Sequence, residues 1–379
     1  MAEPATITAA VFNGPSDNVA DSIAIREFER PELQPDQILV RVTCCTICGS
    51  DLHTTLGTRT QPTPSILGHE IIGLVEEIGA DVRCEELMKG DRVTWSVAAA
   101  SCEPTRYALG LEGFLPELTP ELTSNSCTNC QRGLPQKCEW LFKYGHEATT
   151  GDATRALSGG LAEFCVLQPG TSAVLLPHGI ADEVICPASC ATATVMAAMR
   201  TIGDVANQRV LITGAGMLGV TTSAVAASRG ASEIVVCDVN TQRHELAMQF
   251  GATRAVESVP DEQFDCIFEM SGNANAVTAA IKSAAIGSRI ALVGSVSPSD
   301  SVQLDPEQIV RGLISIHGIH NYCPDDLLYA VNFLGKNHKR FPFGSLVEKT
   351  FPLSEAAAAF EYAATNRPIR VAVKPDERS

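Results

Sequence analysis

With 379 residues the chain exceeds one ordinary hydrophobic core and predicts two domains of about 150 to 200 residues each. A composition that is 45% hydrophobic but only 5% aromatic, punctuated by 29 glycines and 21 prolines, excludes a disordered or low-complexity chain. A formal charge of −16 and a pI near 4.9 argue against nucleic acid or an anionic membrane surface as partners.

The N-terminus, MAEPATITAAVF, shows neither the basic start nor the apolar run of a secretory signal, so a cytoplasmic protein is expected. Fourteen cysteines then read as reduced thiols and metal ligands rather than as a disulfide framework. From about Ala5 to Val97, short apolar runs such as QILVRVT and EIIGLVEEIG are broken by Gly, Pro and Asp, which predicts β-rich structure. Two glycine-punctuated turns in this region carry Cys48, in TICGSDLH, and His69, in LGHE. A third ligand is offered by Cys190, in CPASCATATV, and three protein ligands with one open position is the pattern of catalytic zinc. Taken singly, each residue also fits an inert buried thiol or a satisfied core histidine.

Downstream, SNSCTNCQRGLPQKC sets Cys127, Cys130 and Cys138 at the spacing of a structural zinc site with one ligand missing. Ser124 stands where a regular run would place that ligand, and a neutral hydroxyl binds zinc poorly. From about Thr192 to Ile319 the texture becomes alternating strands and Ala-rich helices: VLITG, EIVVCD, CIFEMSG and RIALVGS predict a doubly wound parallel sheet. The charge-free run Val210 to Ser228 has membrane-spanning length, but its glycines and hydroxyl residues read as strand, turn and buried helix. Within it Gly214, Gly216 and Gly219 form G-x-G-x-x-G between strand and helix, which is the phosphate cradle of a Rossmann domain. Asp238 ends the next strand nineteen residues later, where a carboxylate accepts from ribose hydroxyls and repels a 2′-phosphate. NAD is therefore favoured over NADP, with Arg243 as the residue that argues the other way. The tail carries the helical DLLYAVNFL and EAAAAFEYAA and the strand-like IRVAVK, so the division expected is 1–191 with 320–379, and 192–319.

Together these motifs resemble the zinc-containing medium-chain alcohol dehydrogenase family: GHEIIGLVEEIGADV matches its zinc signature through Gly73, Gly79 and Val82, and KGDRV follows from Lys89. The resemblance covers essentially the whole chain and implies a GroES-like catalytic domain beside the Rossmann coenzyme domain. It implies two zinc ions per chain and NAD as cofactor, Cys48, His69 and Cys190 as catalytic zinc ligands, Glu70 as an occasional ligand or a group just behind the ligands, and Asp51 as the group orienting the ligating histidine. Ser50 and His53 match its proton relay, Arg370 its pyrophosphate arginine, and Thr194, Met217, Leu218 and Gly294 complete the implied cofactor set. In that family the structural zinc lobe opens with a cysteine shortly after the GDRV strand, which makes Cys102 the fourth ligand and 103–126 an insertion in the lobe. The insertion is expected to be a loop packed on the protein or on a neighbouring subunit, in a homodimer or homotetramer.

The activity expected is hydride transfer between a small alcohol and its aldehyde or ketone. GLPQKCEWLFKYGHE, SCATATV and HGIHNY resemble a subgroup associated with phosphonate catabolism, which implies a small hydroxyalkyl phosphonate, with Lys143, His146, Arg155 and His320 as candidate partners for its head group; the alternative for these four is that they are surface or subunit-contact residues. The competing readings are a zinc-free NADP-dependent enone or quinone reductase and a noncatalytic NAD-binding redox sensor.

Overall fold

A computed structural model of the chain describes residues 6–82, 87–102 and 126–376 in full and 106–109 as backbone. Contacts divide it into two units, Met1–Cys190 with Cys323–Gly335 and Phe343–Ser379, and Ala191–Tyr322 with Lys336–Pro342. Residues 336–342 thus cluster with the second unit, although the sequence placed all of 320–379 with the first.

In the first unit the strand Ile38–Ile47 is the hub of an eight-stranded sheet. It pairs antiparallel with Glu70–Ile78, Phe164–Leu167 and Arg370–Lys374, and residues on both of its faces are buried. Its near-continuous apolar sequence reflects that two-sided burial, because only a half-solvated strand alternates. Leu39, Val40, Trp95, Phe164, Phe360 and Val371 belong to one core beside it.

Four residues of the insertion, Arg106–Leu109, form a strand parallel to Ser172–Leu175 at the end of this sheet. That differs from the loop expected: the pairing partner lies more than sixty residues away, and no local pattern announces so distant a pairing. Residues 103–105 and 110–125, Ser124 among them, lie outside the described residues.

The second unit is built on six parallel strands, in the order Arg254–Val256, Glu233–Cys237, Arg209–Thr213, Phe264–Glu269, Ala284–Leu292, Ser315–Gly318. The first strand in sequence lies in the middle, so the order reverses between Arg209–Thr213 and Phe264–Glu269, and the carboxyl ends of those two strands define the ligand crevice of such a sheet. Val210 to Ser228 resolves into the strand and the helix Met217–Ser228, whose apolar residues are buried on nearly every side. Among the described residues no single helix is long and apolar enough to cross a membrane.

Candidate active site

Cys48 and His69 lie 21 residues apart in sequence and are brought together by strand register. Thr46 faces Glu70 across the antiparallel pair, which places Cys48, just past one strand, beside His69, just before the other. Val371 faces Ile47 on the opposite edge, so Arg370 arrives at the same end. The segment with Cys190 is latched on by polar contacts: Ile71 N–H donates to Ser189 Oγ (3.4 Å), Ser189 Oγ–H to His69 O (3.3 Å) and Cys186 Sγ–H to Glu70 O (3.1 Å). As a result the ligand atoms of Cys48, His69 and Cys190 all lie within 4.8 Å of one another.

The surroundings orient these groups. Asp51 Oδ1 sits 3.3 Å from His69 Nδ1, an ion-pair distance whose angle falls short of a hydrogen bond, while Asp51 Oδ2 accepts from Cys48 N–H at 2.9 Å. A carboxylate on Nδ1 leaves Nε2 for a metal. Burial alone would lower the His69 pKa, but the Asp51 carboxylate beside it, aided by Cys48, holds it well above the ordinary value. Cys48 is held well below its ordinary value, first by a hydrogen bond from Cys190 and then by Arg370 and His69, and Cys190 is correspondingly raised. A buried carboxylate, an imidazole that attracts a cation and a thiol poised to ionise suit a thiophilic divalent metal. Three ligands leave the open position of a catalytic site.

The second cysteine set also closes. Ala98–Ala100 pairs antiparallel with Leu141–Lys143, and Ser101 Oγ donates to Trp140 O (2.8 Å), which draws Cys102 toward Cys138. Cys127 precedes the one-turn helix Thr128–Gln131 that carries Cys130, and Asn129 Nδ2 ties that turn to Lys137 O at 2.7 Å. The four sulfurs lie within 4.8 Å of one another, with Cys102 and Cys138 at 3.7 Å. Ligands about 2.3 Å from a tetrahedral zinc are separated by about 3.8 Å, so the four thiols fit the ion. With four ligands this site has no open position.

In the second unit, the glycine loop is built by close approach. Gly214 has φ +90°, and a Cβ on Gly219 would lie 1.8 Å from Gly214 O. Gly216 meets no such obstacle; its missing side chain leaves the loop open where phosphate would approach, beside Arg243 Nη1 at 4.0 Å. Met217 and Leu218 begin the following helix, so their N–H groups belong to its unsatisfied first turn. Asp238 Oδ2 accepts from Ala215 N–H (2.6 Å) and Oδ1 from Asn240 N–H (2.7 Å), fixing the carboxylate against this loop. Sequence reasoning missed Glu269. Fully buried, it accepts from Thr213 Oγ1, Ser271 N–H and Oγ–H, and Gly272 N–H, and so shapes the other lip of the crevice. Gly294 packs there, since a Cβ on it would meet Gly272 N at 2.2 Å, and Thr194 is half-buried on the helix Ala191–Ile202.

Residues 34–178 match the alcohol dehydrogenase GroES-like domain family and residues 218–336 the zinc-binding dehydrogenase family. The L-threonine 3-dehydrogenase of Aliivibrio salmonicida is 33% identical over 320 residues, covering 79% of this chain and 81% of that protein. The chain belongs to the zinc-containing medium-chain alcohol dehydrogenase family. Two solved structures share the fold: an alcohol dehydrogenase of Thermotoga maritima (TM-score 0.85, 23% identity, 98% of this chain and 100% of that one) and a zinc-binding dehydrogenase of Sinorhizobium meliloti bound to NADP (TM-score 0.79, 22% identity, 98% and 100%). This medium-chain dehydrogenase is thus an oxidoreductase of the alcohol dehydrogenase type.

Two residues named in the sequence reading of the dehydrogenase are tied to one another. Glu70, expected as an occasional ligand, has its oxygens committed to Arg370 Nε and Nη2, both at 2.8 Å, and to Thr46 Oγ1 at 2.5 Å. It is not part of the three-ligand set. Burial pushes the Glu70 carboxyl up and Arg370 pulls it back, and the bidentate geometry identifies a charged pair. Arg370, expected at a pyrophosphate, is the counter-ion of Glu70 and reaches Cys48 Sγ at 3.6 Å. Ser50 Oγ lies 3.4 Å from His69 Nε2, at the metal-facing nitrogen, and His53, one turn along the same helix, is exposed with Nδ1 3.0 Å from Thr58 Oγ1.

Proposed function

We propose that the chain is a zinc-dependent, NAD-linked dehydrogenase of small alcohols, with Cys48, His69 and Cys190 holding catalytic zinc and Cys102, Cys127, Cys130 and Cys138 holding structural zinc. The observation that carries this reading is the convergence of three ligand atoms beside Ser50, with Asp51 behind the histidine. Zinc held by these residues would supply a Lewis acid that makes the substrate hydroxyl more acidic, and a bound nicotinamide would supply the hydride acceptor. Ser50 Oγ takes the proton, and His53, exposed and steadied by Thr58, releases it to solvent. Asp51 holds the His69 ring and its tautomer. Asp238 favours NAD, because its fixed carboxylate repels a 2′-phosphate; Arg243 beside the loop would reduce that preference. The zinc-free reductase reading has no use for a closed ligand set, and the redox-sensor reading none for the Ser50 and His53 pair.

For the substrate, the resemblance to the phosphonate-associated subgroup supports a small hydroxyalkyl phosphonate, and L-threonine, named in the relatives' activity, belongs beside it in a trial. The test is a panel of alcohols, L-threonine and hydroxyalkyl phosphonates with the purified chain, each with NAD and with NADP. The expected result is NAD-linked turnover of at least one alcohol, with the advantage over NADP falling about tenfold in Asp238→Ala. Turnover with NADP alone, or none with any alcohol, would overturn the reading.

A further inference from the structure

Several arginines of this acidic chain are paired with acids: Arg92 with Asp182, Arg209 and Arg254 with Glu233 and Glu262, Arg370 with Glu70. Two half-buried cations of the first unit differ. The half-buried side chains of Arg59 and Lys143 have no hydrogen-bond or ion-pair partner among the described residues. Both stand close to the catalytic ligands. Arg59 follows the helix Gly49–Thr55 that carries Ser50 and His53, and its N–H donates to His53 O at 3.0 Å. Lys143 ends the strand Leu141–Lys143, three residues before His146, whose ring lies 5.4 Å from that of His69.

The segments bearing the two cations are laced together. Gln61 Nε2 donates to Gly145 O (3.0 Å), Thr149 N–H donates to Pro64 O (2.8 Å), and Ser65 bridges Ala148. Glu147, four residues past Lys143, is occupied: Oε1 accepts from the Lys143 backbone N–H (3.1 Å) and Oε2 faces Arg155 at 3.7 Å. Burial, then Arg59, pushes the Lys143 ammonium below its ordinary value, and among the described residues no acidic side chain pairs with either cation. His146 Nδ1–H donates to Tyr144 O (2.7 Å), which fixes the ring and leaves Nε2 as its second polar atom.

We propose that Arg59, Lys143 and His146 form a subsite beside the catalytic centre for a tetrahedral dianion, the phosphonate or phosphate head group of the alcohol being oxidised. Two unpaired cations match two negative charges, and His146 Nε2 offers one further hydrogen bond to the head group or to the substrate hydroxyl. Arg155, engaged by Glu147 and by the Phe142 ring at 4.6 Å, is not part of it. This inference rests on the dehydrogenase reading for the identity of the ligand, but not for its binding.

The experiment has two arms. Calorimetry with methylphosphonate, inorganic phosphate and acetate on the intact protein should show binding of both tetrahedral anions, at least tenfold weaker binding of acetate, and loss of binding in Arg59→Gln with Lys143→Met. Kinetics should show a higher kcat/KM for 2-hydroxyethylphosphonate or its phosphate analogue than for an uncharged alcohol of equal length. That ratio should fall by about 10- to 100-fold in each single variant, mostly through KM, and should stand unchanged in Lys89→Met, a surface lysine paired with Glu76. Whichever head group gives the larger ratio identifies the source of the dianion. No anion binding, equal binding of acetate, or a ratio indifferent to Arg59 and Lys143 would overturn the subsite. Turnover of uncharged alcohols in that case would leave the dehydrogenase reading standing, whereas anion binding without any turnover would remove that reading and leave the subsite.

Discussion

His69 is the residue at which the site's logic is most concentrated, since Asp51, Cys48, Cys190, Ser50 and His146 all surround it. His69→Ala should abolish alcohol turnover while NAD binding, measured by titration of NADH fluorescence, persists, because the glycine loop and Asp238 belong to other segments; full turnover would show the ligand set to be wrong. Lys143 gives a pH-dependent expectation. Its folded-state pKa is lowered by burial and by Arg59, so at neutral pH the folded chain holds a proton it binds less tightly than the unfolded chain does. The destabilisation is complete below the folded pKa and vanishes above the unfolded value of about 10.4, so stability rises with pH across that window. Lys143→Met should therefore raise Tm at pH 7 by an amount that shrinks to nothing in strongly alkaline buffer. A lower Tm at pH 7 would contradict the unpaired ammonium. Residue types at these positions were legible in the sequence, because cysteine, histidine and Asp51 in glycine-marked turns advertise metal chemistry. Arg59 was not, since an unpaired cation is defined by the absence of neighbours that only the fold supplies.

The structural lobe is the element whose sequence departs furthest from a simple pattern, with 24 residues between Cys102 and Cys127. Closing 24 residues instead of two costs about 2 kcal/mol by loop-entropy scaling, against about 10 to 16 kcal/mol from a structural zinc, so the interruption is readily outweighed. Two local devices bring the halves together: the Ala98–Ala100 and Leu141–Lys143 pair, and the turn from Cys127 to Cys130. Cys127→Ser should lower Tm and release metal at a higher pH than in the parent chain, with kcat of the protein that stays folded changed less than threefold. Loss of kcat at full stability would show this lobe to act in the chemistry instead. The C-x2-C turn was readable from spacing alone. The edge strand Arg106–Leu109 was not, because four residues in a proline-rich insertion take strand form only when a partner strand is already in place.

At the scale of the molecule, alternating strands and helices disclosed the parallel sheet, since its three central strands are buried on both faces and read as short apolar runs. The wrapping of the C-terminal strand onto Ile38–Ile47 leaves no such mark, and with it the sequence hid the Glu70 and Arg370 pair, 300 residues apart and almost wholly buried. Arg370→Met would strand a buried carboxylate and should cost about 3 to 5 kcal/mol of the first unit's stability in denaturant unfolding, while Arg370→Met with Glu70→Gln should recover much of it. A single variant as stable as the parent would show that the pair is not charged. The central claim, that one chain binds one catalytic and one structural zinc, is tested most directly by elemental analysis of the native protein and of two variants. Two zinc ions per chain are expected, falling to one in Cys48→Ser and to one in Cys127→Ser; one zinc or none in the native chain, or two in either variant, would contradict it.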